Sequence, residues 1–359
     1  MIFRVRLELS VQVCGEISEP DARFSEAAHW DSPTLALWGV KGQHSCMRPL
    51  CLLVLLLGYP GKAGAWGVPG HEAMARVAQG WLSNDVAARV TAILGTNDLA
   101  SVSVWADHLR DAQRNRGPLR SDPLAHDFNR RFPHNDNWHY VNLPLGTMRY
   151  EPSSGFVSTN DIVQALNRCI TALEGRSGEM TKAEALRWLV HVVGDIHQPL
   201  HVGCGFYRFE PDGKALLMSE PDEAAGRPHD RGGNLLRYEG SRGLHGYWDA
   251  NLVEAINPSP RNGGLETLLR EAAQSRNWKT DGRLDGWAAK WAADAVQEAR
   301  GAYQNIEFLS AQFDQSGALT NINVKLPVNY QVDQAARAKT QLAKSAFHLA
   351  ELLNRLDWQ

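Results

Sequence analysis

Two histidine–aspartate pairs, His191-x3-Asp195 and His245-x3-Asp249, carry the plainest chemistry in this chain. Residues four apart on a helix project from one face, so each pair can offer an imidazole nitrogen and a carboxylate oxygen to one ion. His201 follows Asp195 by six residues, past the turn that Pro199 imposes. Imidazole and carboxylate without thiolate suit zinc in a catalytic site with open positions, whereas a structural zinc would draw on cysteine. A second kind of donor lies at Trp66-Gly67-Val68-Pro69-Gly70-His71, directly after the small-residue cleavage pattern Ala63-Gly64-Ala65. Cleavage there would make Trp66 the new N-terminus. Its deprotonated amino group is a nitrogen donor, and a nearby carbonyl and histidine would complete a metal site.

These donors need a scaffold, and the hydrophobic pattern supplies a helical one. Lys182–Ile196 is apolar on most sides and reads as a central helix closed by Pro199. Three- and four-residue spacing predicts further helices over His71–Leu82, Val86–Leu94, Val102–Gln113, Asn160–Leu173, Tyr247–Ile256, Gly264–Ser275, Leu284–Ile306 and Val332–Leu356. The exception is Phe206–Met218, where two apolar strips flank Pro211-Asp212-Gly213 and predict a β-hairpin. The expectation is a mainly α, single-domain fold with one small β-hairpin insertion. Taken singly, Asp107 reads as part of a solvated helix face, His139 as a half-buried strand histidine and His71 as a first-turn helix residue.

The start of the chain reads as targeting sequence. The apolar run from Leu50 to Gly58 is well short of the roughly 20 residues that a bilayer span needs. With Met47 and Arg48 ahead of it and Ala63-x-Ala65 behind, residues 47–65 read as a cleaved signal peptide. Residues 1–46 have no place in such a signal and read as a non-native extension, with translation expected to begin at Met47. The functional domain is then 66–359, and a periplasmic or secreted protein with no membrane anchor is expected. That domain carries 31 Lys and Arg against 34 Asp and Glu. A nucleic-acid binder relying on backbone neutralisation would be basic, so any polyanion must be attracted locally. Of its two cysteines, Cys169 and Cys204, the sequence allows either one disulfide or two buried thiols.

Six short motifs, in order, resemble the zinc-dependent single-strand-specific nucleases of the S1/P1 (phospholipase C/nuclease P1) family. They are Trp66-Gly-x-x-Gly-His71, Trp-Ala-Asp107-x-x-Arg110, Trp-His139-Tyr-Val-Asn, His191-Val-Val-Gly-Asp195-Ile-His-Gln-Pro-Leu-His201, Asp230-Arg-Gly-Gly-Asn234 and Leu-His245-Gly-Tyr-Trp-Asp249. The resemblance implies that family's helical fold and three zinc ions. Asp107, His139, His191 and Asp195 would hold the first ion, and His201, His245 and Asp249 the second. The third would take the amino nitrogen and carbonyl oxygen of Trp66 with His71 and Asp195, which then bridges two ions. Three zincs against three aspartates leave a positive pocket in a slightly acidic protein, which answers the charge question. The implied reaction is hydrolysis of single-stranded DNA and RNA to 5′-nucleotides, with Asp107 and Asp195 at the reacting centre; whether 3′-nucleotidase activity accompanies it stays open. Arg110, one turn from Asp107, would clamp phosphoryl oxygens or, alternatively, pair with a ligand carboxylate. Tyr140 stands where an aromatic stacks a nucleobase, Asn142 where fungal relatives have a base-reading aspartate, and Asn234 either contacts the base or structures its loop. His108 and His197 are not expected to be ligands. An exported phospholipase C is the main rival, but its second zinc takes glutamate where this chain has Asp249. A non-enzymatic zinc-binding protein explains neither Arg110 nor an open third site. A monomer is expected.

Overall fold

The computed structural model describes residues 66–96, 98–240, 242–256, 264–274 and 276–359. The expected extension and signal, with Cys14, Cys46 and Cys51, lie outside the described residues. The helices are α1 (Gly67–Gln79), α2 (Asn84–Leu94), α3 (Trp105–Gln113), α4 (Pro123–Arg131), α5 (Ile162–Leu173), α6 (Lys182–Ile196), α7 (Pro221–Ala224), α8 (Leu244–Gly246), α9 (Leu252–Ile256), α10 (Gly264–Gln274), α11 (Trp287–Tyr303) and α12 (Tyr330–Arg355). The mainly α reading therefore holds.

α6 is the central helix that its composition predicts. Thr181 and Glu184 close a capping box at its start, and from Ala185 to Ile196 every residue but Arg187 is buried. α1, α3, α5, α11 and α12 pack around it. On the side facing the site, Trp188 packs against Trp138 and Phe128 with ring centroids 4.9 and 6.0 Å away. Such pairs add roughly 0.5–1.5 kcal/mol each beyond the burial of their surface.

The β structure is richer than expected. Leu143–Pro144 (β1) pairs parallel with Gly203–Cys204 (β2), tying the segment after His139 to the segment after His201. The expected hairpin is present as Phe206–Phe209 (β3) against Ala215–Met218 (β4), with Phe206 opposite Met218. A four-stranded sheet was not expected. It joins Leu236–Tyr238 (β5), Arg242–Gly243 (β6), Glu307–Phe313 (β7) and Leu319–Lys325 (β8) in the order β6-β5-β8-β7, with β5 and β8 parallel. β7 is mostly exposed on both faces and shows none of the alternation that marks a half-buried strand. α4 is also absent from the sequence reading. Asp122 caps it and Pro123 opens it, but it buries only Ala125 and Phe128, too few apolar positions to set a period. Three expected helices begin with a tighter or wider turn. Ala100–Val102 and Leu284–Gly286 are 3-10 segments ahead of α3 and α11, and Tyr247–Asn251 is a π-turn between α8 and α9.

Cys169 and Cys204 are free, buried thiols, so the disulfide alternative is not realised. No helix among the described residues is long and apolar enough to cross a membrane.

Candidate metal centre

Five separate pieces of chain converge on α6. α1 brings Trp66 and His71, α3 brings Asp107 and Arg110, and a 3-10 turn Asn135–His139 ends on His139. His139 thus sits on a turn rather than the expected strand, and the backbone becomes extended only at Tyr140. A second 3-10 turn, Pro199–His201, presents His201, and α8 with its π-turn presents His245 and Asp249.

The side chains form three groups whose nitrogen and oxygen atoms lie within 4.8 Å of one another: His71, His191 and Asp195; Asp107, His139 and His191; His201, His245 and Asp249. Asp195 is the hub. Its Oδ2 lies 2.9 Å from His139 Nδ1 and 3.1 Å from His191 Nε2, and its Oδ1 lies 3.1 Å from His71 Nε2. The His71 and His191 rings stack, 4.2 Å apart and 12° from parallel. Asp107 Oδ1 is 3.9 Å from His191 Nε2 and 2.7 Å from a guanidinium nitrogen of Arg110. The ion-pair alternative for Arg110 is therefore present, on a residue that also lines the cleft.

Proton bookkeeping tests whether these groups fit a cation. His201 Nδ1 lies 2.6 Å from the His139 carbonyl and His245 Nδ1 lies 2.7 Å from the Gly232 carbonyl. A carbonyl cannot donate, so both Nδ1 atoms carry the hydrogen. Both Nε2 lone pairs are then exposed to each other, and they stand 3.1 Å apart. Two zinc ligands at tetrahedral angles stand about 3.3 Å apart, so an ion between them removes the conflict. His191 Nδ1 likewise donates to the Ser103 carbonyl at 2.7 Å, turning its Nε2 toward Asp195 and His139. Among the described residues, His71 Nε2, His139 Nε2, Asp195 Oδ1 and Asp249 Oδ2 are buried with no hydrogen-bond partner. Such atoms are costly to leave unpaired. The donor set fits metal.

Charge follows the same pattern. Burial lowers the pKa of His71 and His139 and brings His201 down to about 3, keeping these rings neutral donors. Burial opposes the charge on Asp195, but His191 and His201 together with hydrogen bonds from His139 and His191 hold it well below the usual carboxylate range. His191 runs the other way: against burial, Asp195 and Asp107 raise it to about 9. Burial raises Asp249 to about 6.

Three positioning groups had no role in the sequence reading, although Gln198 and Asp230 stand inside its motifs. Gln198 is buried and donates to Asp249 Oδ1 at 2.8 Å while capping the Pro199–His201 turn. Its place between Asp195 and His201 was the available signal. The Ser103 carbonyl carries no side-chain signal. Asp230 is a buried carboxylate that accepts from Gly205 N, Gly233 N, Tyr207 OH and Tyr303 OH. It fixes the loop whose Gly232 carbonyl orients His245. Gly232 has φ 60°, and a Cβ there would stand 2.0 Å from the Leu200 carbonyl oxygen, so only glycine fits.

Asp107, His139, His201 and His245 line an open cleft of about 740 Å³ together with Tyr140, Asn142 and Asn234. Tyr140 is exposed, and its hydroxyl donates to Asn137 Oδ1 at 2.7 Å. Asn234 Nδ2 donates to the Arg231 carbonyl at 2.8 Å, the loop-structuring alternative. His108 lines the cleft but joins none of the three groups, and His197 is buried against His348 and Trp291 on another side of α6.

Close packing behind the hub gives a direct test. A Cβ on Gly194 would lie 2.7 Å from both Nδ1 and Cε1 of His71. Gly194→Ala should improve helix propensity by about 1 kcal/mol and yet push His71 out of its group. The expected result is an intact fold by circular dichroism with one fewer metal bound per chain. Full metal content would remove His71 from the ligand set.

Comparison with known proteins gives the same answer. Endonuclease 2 of Arabidopsis thaliana is 25% identical over 350 residues, covering 88% of this chain and 98% of that one. Nuclease S1 of Aspergillus oryzae is 27% identical over 247 residues, 64% of this chain and 74% of that one. Nuclease P1 of Penicillium citrinum is 32% identical over 140 residues, 38% and 47% of the two chains. The S1/P1 Nuclease family pattern matches residues 66–357, beginning at Trp66 and spanning every element of the site. The chain belongs to the S1/P1 nuclease family and is a hydrolase of phosphodiester bonds.

Proposed function

We propose that this nuclease is exported, holds three zinc ions and cleaves single-stranded DNA and RNA to 5′-nucleotides. Asp107, His139, His191 and Asp195 hold one ion, and His201, His245 and Asp249 another. The Trp66 amino nitrogen and carbonyl oxygen, with His71 and Asp195, hold the third. The observation that carries the reading is the set of buried lone pairs that face one another around Asp195 and between His201 and His245. When bound, zinc supplies positive charge for a phosphodiester and makes water acidic enough to ionise near neutral pH.

The chain's own groups do the rest. The Ser103, His139 and Gly232 carbonyls fix the tautomers of His191, His201 and His245 and hold their rings in place. Arg110, beside Asp107 on the cleft wall, donates to the phosphoryl oxygens as charge builds in the transition state. Tyr140 stacks an unpaired base, which selects single strands. Asn142, which lines the cleft, contacts the base, and Asn234 holds the Arg231 loop beside it. Export rests on the apolar run and Ala63-x-Ala65, and makes Trp66 a terminus.

The test is zinc content per chain of protein starting at Trp66, with cleavage of matched single-stranded and duplex substrates. Three zincs and preferential cleavage of the single strand are expected. One zinc or none, or hydrolysis of phosphatidylcholine with nucleic acid untouched, would overturn the reading. Tyr140 gives a separate check. Stacking is worth about 1–3 kcal/mol per base, so Tyr140→Ala should raise KM for a single-stranded oligonucleotide by roughly 5- to 150-fold with Tyr140→Phe near wild type. Equal KM values in Tyr140→Ala and wild type would show that no base stacks there.

A further inference from the structure

Arg114 and Arg231 line the same cleft as the metal groups, and both are exposed. Several other arginines on the surface are ion-paired: Arg116 with Asp111, Arg130 and Arg131 with Asp127, Arg242 with Glu239. Among the described residues, neither Arg114 nor Arg231 has a carboxylate within ion-pair distance. Both guanidiniums are near enough to Tyr140 for their charge to act on its hydroxyl, as is Asp136 with the opposite sign.

The two residues reach this place by different routes. Asp107, Arg110 and Arg114 recur at i, i+3 and i+7, so they form one stripe along α3 and its cap. Arg114 lies about 6 Å further along the axis than Arg110, away from the metal groups. Arg231 has φ 58°, a left-handed conformation that costs a non-glycine residue about 1 kcal/mol or more. Glycine would fill that position without strain, as it does at Gly232 and Gly233. The backbone of Arg231 is held from outside its own side chain: its N–H donates to His229 Nδ1 and its carbonyl accepts from Asn234 Nδ2. A left-handed arginine thus lines the cleft of a chain whose net charge is −3.

We propose that Arg114 and Arg231 form a subsite for a backbone phosphate next to the one that is cleaved, beside the base on Tyr140. The ligand class is a single-stranded polynucleotide with at least two phosphates, in preference to a lone phosphodiester. This rests on the reading of the centre as a phosphodiesterase.

The test compares a thymidine dodecamer with a dinucleoside monophosphate, which has only the scissile phosphate. Arg231→Asn removes the charge but tolerates the left-handed backbone, and is combined with Arg114→Ala. The ratio of kcat/KM on the dodecamer to that on the dinucleoside should fall roughly 10- to 100-fold in the double variant, the range of lost charge-assisted bonds. The slope of log Kd against log salt, measured by fluorescence anisotropy on the metal-loaded protein with a phosphorothioate dodecamer that it does not cleave, should shrink by about 0.7 for each arginine removed. Arg231→Lys should keep the slope. An unchanged ratio and slope would show solvated arginines only and overturn the proposal. Equal losses on both substrates would also overturn it, assigning the arginines to the scissile group or to the fold. If loaded wild type cleaves neither substrate, the phosphodiesterase reading fails separately. The salt slope then decides the subsite: a reduced slope sustains it and an unchanged one removes it.

Discussion

Asp195→Asn is expected to remove two of the three proposed ions and to lower kcat/KM by about 10³-fold or more. The reasoning is geometric. Asp195 has no exposed surface, and its two oxygens face His139, His191 and His71 at 2.9 to 3.1 Å. It shares one group with His71 and His191, and its Oδ2 also touches His139 of the neighbouring group, so one neutral amide disturbs both. The amide is isosteric, but it lacks the charge and puts an N–H donor where a lone pair is needed. The His201, His245 and Asp249 group keeps its own tautomer-fixing carbonyl partners and should retain its ion. Metal analysis after exhaustive dialysis, with kcat/KM on a single strand, reads both effects. Three ions and wild-type activity in Asp195→Asn would exclude Asp195 as the bridging ligand. Loss of all three would show instead that Asp195 holds the fold of the whole centre.

How much of this was legible in sequence depends on the kind of signal each part carries. His191 and Asp195 were readable because a fifteen-residue helix with its own capping box fixes their spacing, whatever packs on it. His245 and Asp249 were readable as a pair, but the wider π-turn that separates them was not, since only the i+4 spacing is written in the chain. His139 and Asp107 had no local signal. His139 is aligned with His201 by the parallel β1–β2 pair and by Val141 N donating to the His201 carbonyl at 2.9 Å, a long-range contact between backbones. Read alone, each of the two suggested an ordinary solvated or half-buried residue, and only the order of motifs joined them. The mixed sheet was hidden for another reason. β8 finds its parallel partner β5 more than eighty residues earlier, and β7 has too little burial to betray itself. The i+3 spacing puts Arg110 on the Asp107 face, and the structure adds the ion pair between them, which spacing alone left as one of two readings.

A single residue left ahead of Trp66 is expected to cost one zinc and roughly 10²-fold or more in activity, comparable to losing a donor that acts on the transition state. Trp66 is fully buried at the start of α1. Its indole Nε1 donates to the Gly194 carbonyl at 2.9 Å, and its ring lies 6.5 Å from Trp248. The indole therefore pins the residue to the turn of α6 that ends in Asp195, and His71 on the same helix reaches the Asp195 carboxylate. The Trp66 carbonyl accepts from Gly70 N at 3.1 Å, which leaves its second lone pair for an ion. The amino group is the donor that, on the proposed reading, cleavage after Ala65 would free. In a peptide bond the nitrogen lone pair is delocalised and cannot bind metal; as a free terminus it is a neutral donor once deprotonated. Two proteins decide the matter, one beginning at Trp66 and one with a single alanine retained before it, each confirmed by intact mass. Three zincs against two, with the activity following, assigns the terminus to the metal centre and makes cleavage after Ala65 the step that completes the enzyme. Equal zinc and equal activity would mean that His71 and Asp195 hold their ion without Trp66, and that removal of residues 47–65 serves export alone.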